Sequence, residues 1–332
     1  MYRWLKYLIA TSSVAFLAAC GGGDDDDPPA TPTTIASVAT ASGFSALVAA
    51  ADKAGLVDEL SDTSANLTVF APTDAAFDAL ATKLGFADAT AMVAALDGPT
   101  LAKILTYHVL PARKTAAQLT AGNEPTLYEF EGTPATLAIG TTGGVTVTDE
   151  VLVAANVTTP DVDAGNGVIH VIDKVLVPPG VLNVVQMAKL NPAFSTLVAA
   201  VTTAGLDSPV SGLQSAGPFT VFAPTNDAFT ALLARLGISA NDLLGSPDLG
   251  NILRYHVASG AFRAADVLGP PKPASVPTLL SGSNLTVPSN TLPLTLIDDD
   301  VDSPDATIAA TDVRASNGVI HVITQVLIPA PN

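Results

Sequence analysis

The sequence predicts an α+β protein in which one unit of about 150 residues is written twice in tandem. Three observations carry this reading. Three blocks recur in the same order at offsets of 152, 148 and 151 residues. Helical and strand periodicities alternate inside each copy. The 332 residues are 48% hydrophobic but only 5% aromatic, which is enough aliphatic material for a core in each copy. So long a period means tandem domains, because solenoid repeats run to roughly 20–50 residues.

The first block is Phe70-Ala71-Pro72-Thr73-Asp74-Ala75-Ala76-Phe77, which returns as Phe222-Ala223-Pro224-Thr225-Asn226-Asp227-Ala228-Phe229. The second is Ile104-Leu105-Thr106-Tyr107-His108-Val109, which returns as Ile252-Leu253-Arg254-Tyr255-His256-Val257. The third is Asn166-Gly167-Val168-Ile169-His170-Val171-Ile172, which returns as Asn317-Gly318-Val319-Ile320-His321-Val322-Ile323.

Along the first copy, Phe44, Leu47, Val48 and Ala51 have the spacing of one helix face, and Gly55 supplies a stop. Leu67 to Phe70 reads as a buried strand running into Pro72-Thr73-Asp74. Thr73 or Asp74 can cap the next helix, whose apolar face is Phe77, Leu80, Ala81 and Leu84. Leu101, Ile104, Leu105 and His108 share one face of a third helix. Strand-like runs follow at Val145–Thr148, after a hairpin-like turn over Gly140–Gly144, and at Val168–Leu176. Helices early and strands late predict a sheet closed by its last strand. Val177-Pro178-Pro179-Gly180 is a stiff, very short connector that should hold the two copies close together.

The N-terminus reads as an export and attachment signal. Arg3 and Lys6 precede an apolar run from Tyr7 to Leu17, too short to cross about 30 Å of hydrocarbon. Leu17-Ala18-Ala19-Cys20 resembles the lipobox of bacterial lipoproteins, which implies a signal peptide over 1–19 and lipidation of Cys20, the only cysteine. Several acyl chains on one residue anchor firmly, at about 0.8 kcal/mol per buried CH₂. Gly21 after the cysteine, where aspartate would resemble an inner-membrane retention signal, points to the outer membrane. Residues 20–34 carry glycines, four aspartates and prolines, and read as a disordered tether. The domains are then expected at 35–178 and 179–332.

Composition narrows the function. A net charge of −17, becoming −19 once Arg3 and Lys6 leave with the signal, lacks the basic footprint of a nucleic-acid binder. One cysteine excludes a disulfide framework and a cysteine zinc site, and four histidines make a histidine metal centre improbable. No nucleophile elbow, His-Glu-x-x-His, phosphate loop or dinucleotide fingerprint occurs, so no catalytic residue and no cofactor are expected. His108 and His256 share apolar helix faces, while His170 and His321 alternate with aliphatics on strands. All four are expected to be buried with their ring nitrogens bonded to backbone or a nearby polar group. Asp298, Asp300 and Asp302 begin like a calcium loop. Ser303 and Ala309 then stand where the turn glycine and bidentate glutamate belong, so a solvated acidic loop is the better reading and a metal only the weak alternative.

The three blocks, twice over and in order, resemble the fasciclin domain family across about residues 35–178 and 182–330. The Phe-Ala-Pro-Thr block and the Asn-Gly-Val-Ile-His-Val-Ile block look like the family's two conserved segments, and Tyr107-His108 and Tyr255-His256 like the motif between them. The resemblance implies two domains, each a wedge-shaped β-sandwich with packed α-helices, doing extracellular work in adhesion, matrix attachment or surface association. It also implies candidate binding residues at Tyr107, His108, Tyr255 and His256, and at Asp161-Val162 and Asp312-Val313, which replace the Asp-Ile pair of animal adhesion members.

The expected function is therefore a lipid-anchored binding protein of the cell envelope, exported to the periplasmic or surface face. Its partners are the membrane through its lipid, and a protein or polysaccharide whose identity the sequence does not carry. A carrier of an apolar small molecule, carotenoid- or lipid-like, is the alternative, and an enzyme the third reading.

Overall fold

The computed structural model describes residues 33–268, 274–288, 293–300 and 302–330. The segment expected to be a signal peptide, Cys20 and the expected tether up to Pro32 lie outside the described residues. Among the described residues no single helix is long and apolar enough to cross a membrane.

The first unit opens with α1 (Ile35–Ala41), α2 (Ser45–Ala54) and α3 (Val57–Ser61), then β1 (Leu67–Pro72). Next come α4 (Asp74–Leu84), α5 (Ala89–Ala95), α6 (Gly98–Tyr107) and β2 (Val109–Leu110). The remaining strands are β3 (Gly122–Phe130), β4 (Thr133–Gly140), β5 (Thr146–Thr148), β6 (Ala154–Ala164) and β7 (Gly167–Ile172). The expected helix stop is present, since Gly55 sits at φ 71° as the C-cap of α2. Phe44 is the residue before that helix and not its first turn.

Both candidate caps of the Pro-Thr-Asp block are used, on different helices. Thr73 caps its own helix by accepting from the Ala76 N–H at 3.2 Å. The Asp74 carboxylate turns back and accepts from the Ala46 N–H at 2.9 Å, satisfying the open N-terminus of α2, which has no cap of its own.

The strands are ordered β2-β1-β7-β6-β5-β4-β3. The last strand, expected to close the sheet, sits between β1 and β6. It lies parallel to β1 in the middle, pairing Thr68 with Val168, and antiparallel to β6 on its other side. An unbroken apolar run belongs there, because both faces of a central strand are covered. The long β6 serves two neighbours, pairing with β5 over its first three residues and with β7 over the rest. This divides the sheet into two leaves. Alternate residues of β1 face opposite cores: Val69 and Ala71 join the helices, while Phe70 joins Tyr107, Leu137, Val147 and Ile172 between the leaves.

The second unit repeats the plan with α7 (Val184–Leu190), α8 (Ser195–Thr203), β8 (Phe219–Pro224), α9 (Asn226–Leu236), α10 (Ala240–Leu244), α11 (Leu249–Tyr255) and β9 (Val257–Ser259). It continues with α12 (Ala264–Leu268), β10 (Ala274–Pro277), β11 (Asn284–Val287), β12 (Thr295–Leu296), β13 (Ala306–Ala315) and β14 (Gly318–Ile323). Here β14 again runs parallel to β8 and antiparallel to β13, and β10 and β11 form a separate hairpin. Each unit is thus an α+β domain with a curled sheet and a helical layer.

The two units are continuous in packing. One apolar cluster includes Leu80 and Ile169 of the first and Val184, Phe229 and Ile320 of the second. Val175 to Pro179 of the connector are all buried. The Tyr128 hydroxyl donates to the Pro179 carbonyl at 3.1 Å and the Asn191 amide to the Val151 carbonyl at 3.0 Å.

Candidate functional site

The residues singled out by the repeat form two copies of one hydrogen-bonded assembly. Tyr107 ends α6 and His108 is its C-cap, and both are almost fully buried, at 0% and 1% exposure. The Tyr107 hydroxyl donates to the Thr136 carbonyl at 2.9 Å. His108 Nδ1 lies 2.7 Å from the Ile104 carbonyl, and its Nε2 lies 2.9 Å from the Leu176 N–H. A carbonyl only accepts and an amide only donates, so these partners assign the proton to Nδ1. Burial pushes the His108 pKa down to about 4, which keeps the ring neutral at physiological pH. Tyr255 and His256 repeat this arrangement, with Ile252 and Leu327 as the histidine's partners and the pKa again about 4 through burial.

The strand histidines have the opposite tautomer. His170 accepts on Nδ1 from the Asp161 N–H at 3.1 Å and donates from Nε2 to the Lys114 carbonyl at 2.9 Å. His321 accepts from the Asp312 N–H at 3.3 Å and donates to the Phe262 carbonyl at 2.8 Å. All four rings are therefore buried and bonded to backbone on both nitrogens, as the sequence led us to expect.

Asp161 and Asp312 both stand at φ 59°, where the β6 and β13 ladders slip register. The left-handed conformation suits aspartate better than most residues. Each carboxylate then accepts from the start of a short helical turn, Ala116 N–H at 2.7 Å and Ala264 N–H at 2.8 Å. Val313 is buried and Val162 half-buried, whereas Asp161 and its neighbours Thr158 to Pro160 are exposed. Asn166 completes the assembly. Its Oδ1 accepts from Ile35 N–H at 2.8 Å, and its Nδ2 donates to the Leu60 and Asp62 carbonyls at 3.0 and 2.9 Å. Gly167 after it packs on the Leu67 carbonyl, where no Cβ fits.

The acidic loop is tied to the rest of its domain. The Asp298 carboxylate accepts from the Ile328 N–H at 2.8 Å, as Asp149 does from Val177 N–H at 2.7 Å in the first unit. Asp300 pairs with Arg235 at 2.7 Å, and the Asp302 N–H donates to Asp300 at 3.1 Å. Among the described residues no three His, Cys, Asp or Glu side chains converge as metal ligands.

Tyr107, Asp312 and Val313, separated in sequence, come together at a polar cleft of about 240 Å³ between the units, with Glu150 and Arg314 in its wall. Arg314 holds Glu150 through backbone N–H, Nε and Nη2, at 2.7, 2.9 and 2.8 Å. The guanidinium also lies 5.2 Å from the centroid of the Phe130 ring. This clamp was missed in the sequence. Its signal was a break in the repeat, since Arg314 stands where the first copy has Asp163, and Glu150 where the second has Asp299.

The fasciclin domain model matches residues 42–178 and 192–329. The chain belongs to the fasciclin domain family. Protein sll1483 of Synechocystis sp. is 43% identical over 150 residues, covering 45% of this chain and 74% of that protein. Transforming growth factor-beta-induced protein ig-h3 of Sus scrofa is 37% identical over 167 residues, half of this chain but 22% of the relative. A solved fasciclin domain pair from the insect cell adhesion molecule Fasciclin I aligns with a TM-score of 0.45 and 19% identity, over 88% of this chain and 94% of that one.

Proposed function

We propose that the protein is an exported, lipid-anchored adhesion module of the bacterial cell envelope whose two fasciclin domains act as one body. The observation that carries this is the fasciclin domain in tandem, since fasciclin domains work in adhesion and matrix association. The Arg314–Glu150 clamp and the buried connector support joint action: two surfaces held at a fixed separation gain avidity when one partner spans both. Tyr107, His108, Tyr255 and His256 act here from within, by holding the fold. The partner surface is then the exposed bulge from Thr158 to Asp161, its counterpart around Thr311, and the mouth of the cleft between the units. The net charge, −17 for the whole chain and −19 once Arg3 and Lys6 are removed (12 − 31), favours a basic protein, or a polysaccharide bridged by cations.

Protease shaving of intact cells, followed by crosslinking and pull-down, tests this reading. Surface release of the protein, loss of cell attachment on its deletion, and loss of anchoring in Cys20→Ser are expected. A deletion strain that attaches as well as its parent would overturn the adhesion role.

A further inference from the structure

The duplicated fold contains its own control for an apolar cavity. In the first unit, α1, α2 and α3 stand off β1 and α6 and leave a space of about 150 Å³. Its wall is aliphatic, including Ala36, Ala51, Leu56, Leu105 and Leu127, and contains no aromatic ring. The corresponding space of the second unit, lined by Val185, Val201 and Leu253 among others, is only about 30 Å³. The cap positions Thr34 and Asn183 align Ala36 with Val185, and the helix starts at Ser45 and Ser195 align Ala51 with Val201. The first unit has alanine at two places where the second has valine, so the wall of the second space carries more side-chain volume there.

A cavity of roughly 150 Å³ with apolar walls stays dry and takes up small hydrocarbons. This one also has a mouth. Leu127 and Val57 line it while remaining 44% and 37% exposed, so an entering chain meets apolar surface before it is enclosed. Glu59, itself exposed, is the one charged residue in the wall among the described residues. A carboxylate at the mouth repels an anionic head and accepts an uncharged or cationic one.

We infer that the cavity of the first fasciclin domain binds the alkyl chain of a single-chain amphiphile with a non-anionic head, inserted past Leu127 and Val57 with its head beside Glu59. An aliphatic wall without an aromatic stacking surface favours a saturated chain over a ring or polyene. This binding is independent of the adhesion role, because the exposed bulges and the cleft between the units lie on other residues.

The test uses the Cys20→Ser protein, which needs no detergent, titrated calorimetrically with 1-octanol, octyltrimethylammonium and octanoate at pH 7. The alcohol and the ammonium compound are expected to bind, and octanoate at least tenfold more weakly. The double variant Ala36→Val/Ala51→Val, which gives the first unit the residues of the second, should weaken binding at least tenfold with no fall in the thermal midpoint. Glu59→Lys, a change on an exposed residue, should reverse the preference toward octanoate. Absence of binding by all three compounds, unchanged binding in the double variant, or equal binding of octanoate and octanol would each overturn the inference. Attachment of cells carrying the double variant should remain normal, which separates failure here from failure of the adhesion reading.

Discussion

The Asp161 backbone N–H donates to Nδ1 of His170 at 3.1 Å, and the same bond joins Asp312 to His321 in the second unit at 3.3 Å. A bulge residue and a central-strand histidine thus fix each other. The histidine's other nitrogen reaches Lys114 or Phe262, and the aspartate's carboxylate reaches the helical turn that follows the same loop. Residues that stand out in the sequence as a recognition motif are also the joints of the fold.

Substitution at Asp161 should separate conformation from capping. Asp161→Asn keeps a side-chain acceptor and tolerates positive φ, so it should cost least. Asp161→Gly keeps only the conformation. Asp161→Ala loses both and should cost about 2–3 kcal/mol. Urea unfolding should rank them in that order; equal costs for Gly and Ala would remove the left-handed strain from the account.

Acid should weaken the fold through His108 and His256. Their folded pKa of about 4 lies below the ordinary histidine value of 6.5, so between those values the unfolded chain binds more protons. Stability therefore falls as pH drops from about 6.5 to 4, at about 1.4 kcal/mol per pH unit for each histidine. Asp149 and Asp298, whose pKa values burial raises, act in the opposite sense. The difference between the wild type and His108→Gln/His256→Gln isolates the histidines. Parallel pH profiles for the two proteins would show that these rings do not set the slope.

Asn166→Ala should detach α1. It leaves the buried Ile35 N–H without its partner, at about 1–3 kcal/mol, and frees two partly exposed carbonyls that water can reach. Hydrogen exchange should accelerate in Ile35–Ala41 first, while β1 and β7 stay protected. Uniform acceleration across the domain would mean that the asparagine serves the whole core.

Arg314→Ala should loosen the junction more than either domain. Glu150 is mostly buried and Arg314 about one-third exposed, so the pair sits between the surface and buried limits and its loss should cost about 1–2 kcal/mol. Small-angle scattering should show a broader distribution of separations between the units. The charge exchange Arg314→Glu/Glu150→Arg should recover part of the coupling; the same separations in Arg314→Ala and wild type would place the rigidity in the connector alone.

Much of this was legible in the sequence because it is written locally and twice. The Pro-Thr-Asp block and Gly55 announce helix ends, the spacing of Leu101, Ile104 and Leu105 announces a buried helix face, and the histidines sit among aliphatics that leave them no water. Other features were not legible. Asp74 was seen as a candidate cap for its own helix, yet it serves α2, which begins 29 residues earlier. The closing strand lies mid-sheet, because order in the sheet depends on which faces the helices cover.

The sequence by itself determined the two fasciclin domains, their α+β content and the burial of their histidines, since periodicity and capping act over a few residues. Only the tertiary structure decided which backbone groups the Tyr-His pairs bond, that Arg314 closes on Glu150, and that the apolar cavity is larger in the first domain than in the second. Those outcomes depend on contacts between residues far apart in the chain, and on methyl-sized differences in how helices meet the sheet, neither of which leaves a local pattern.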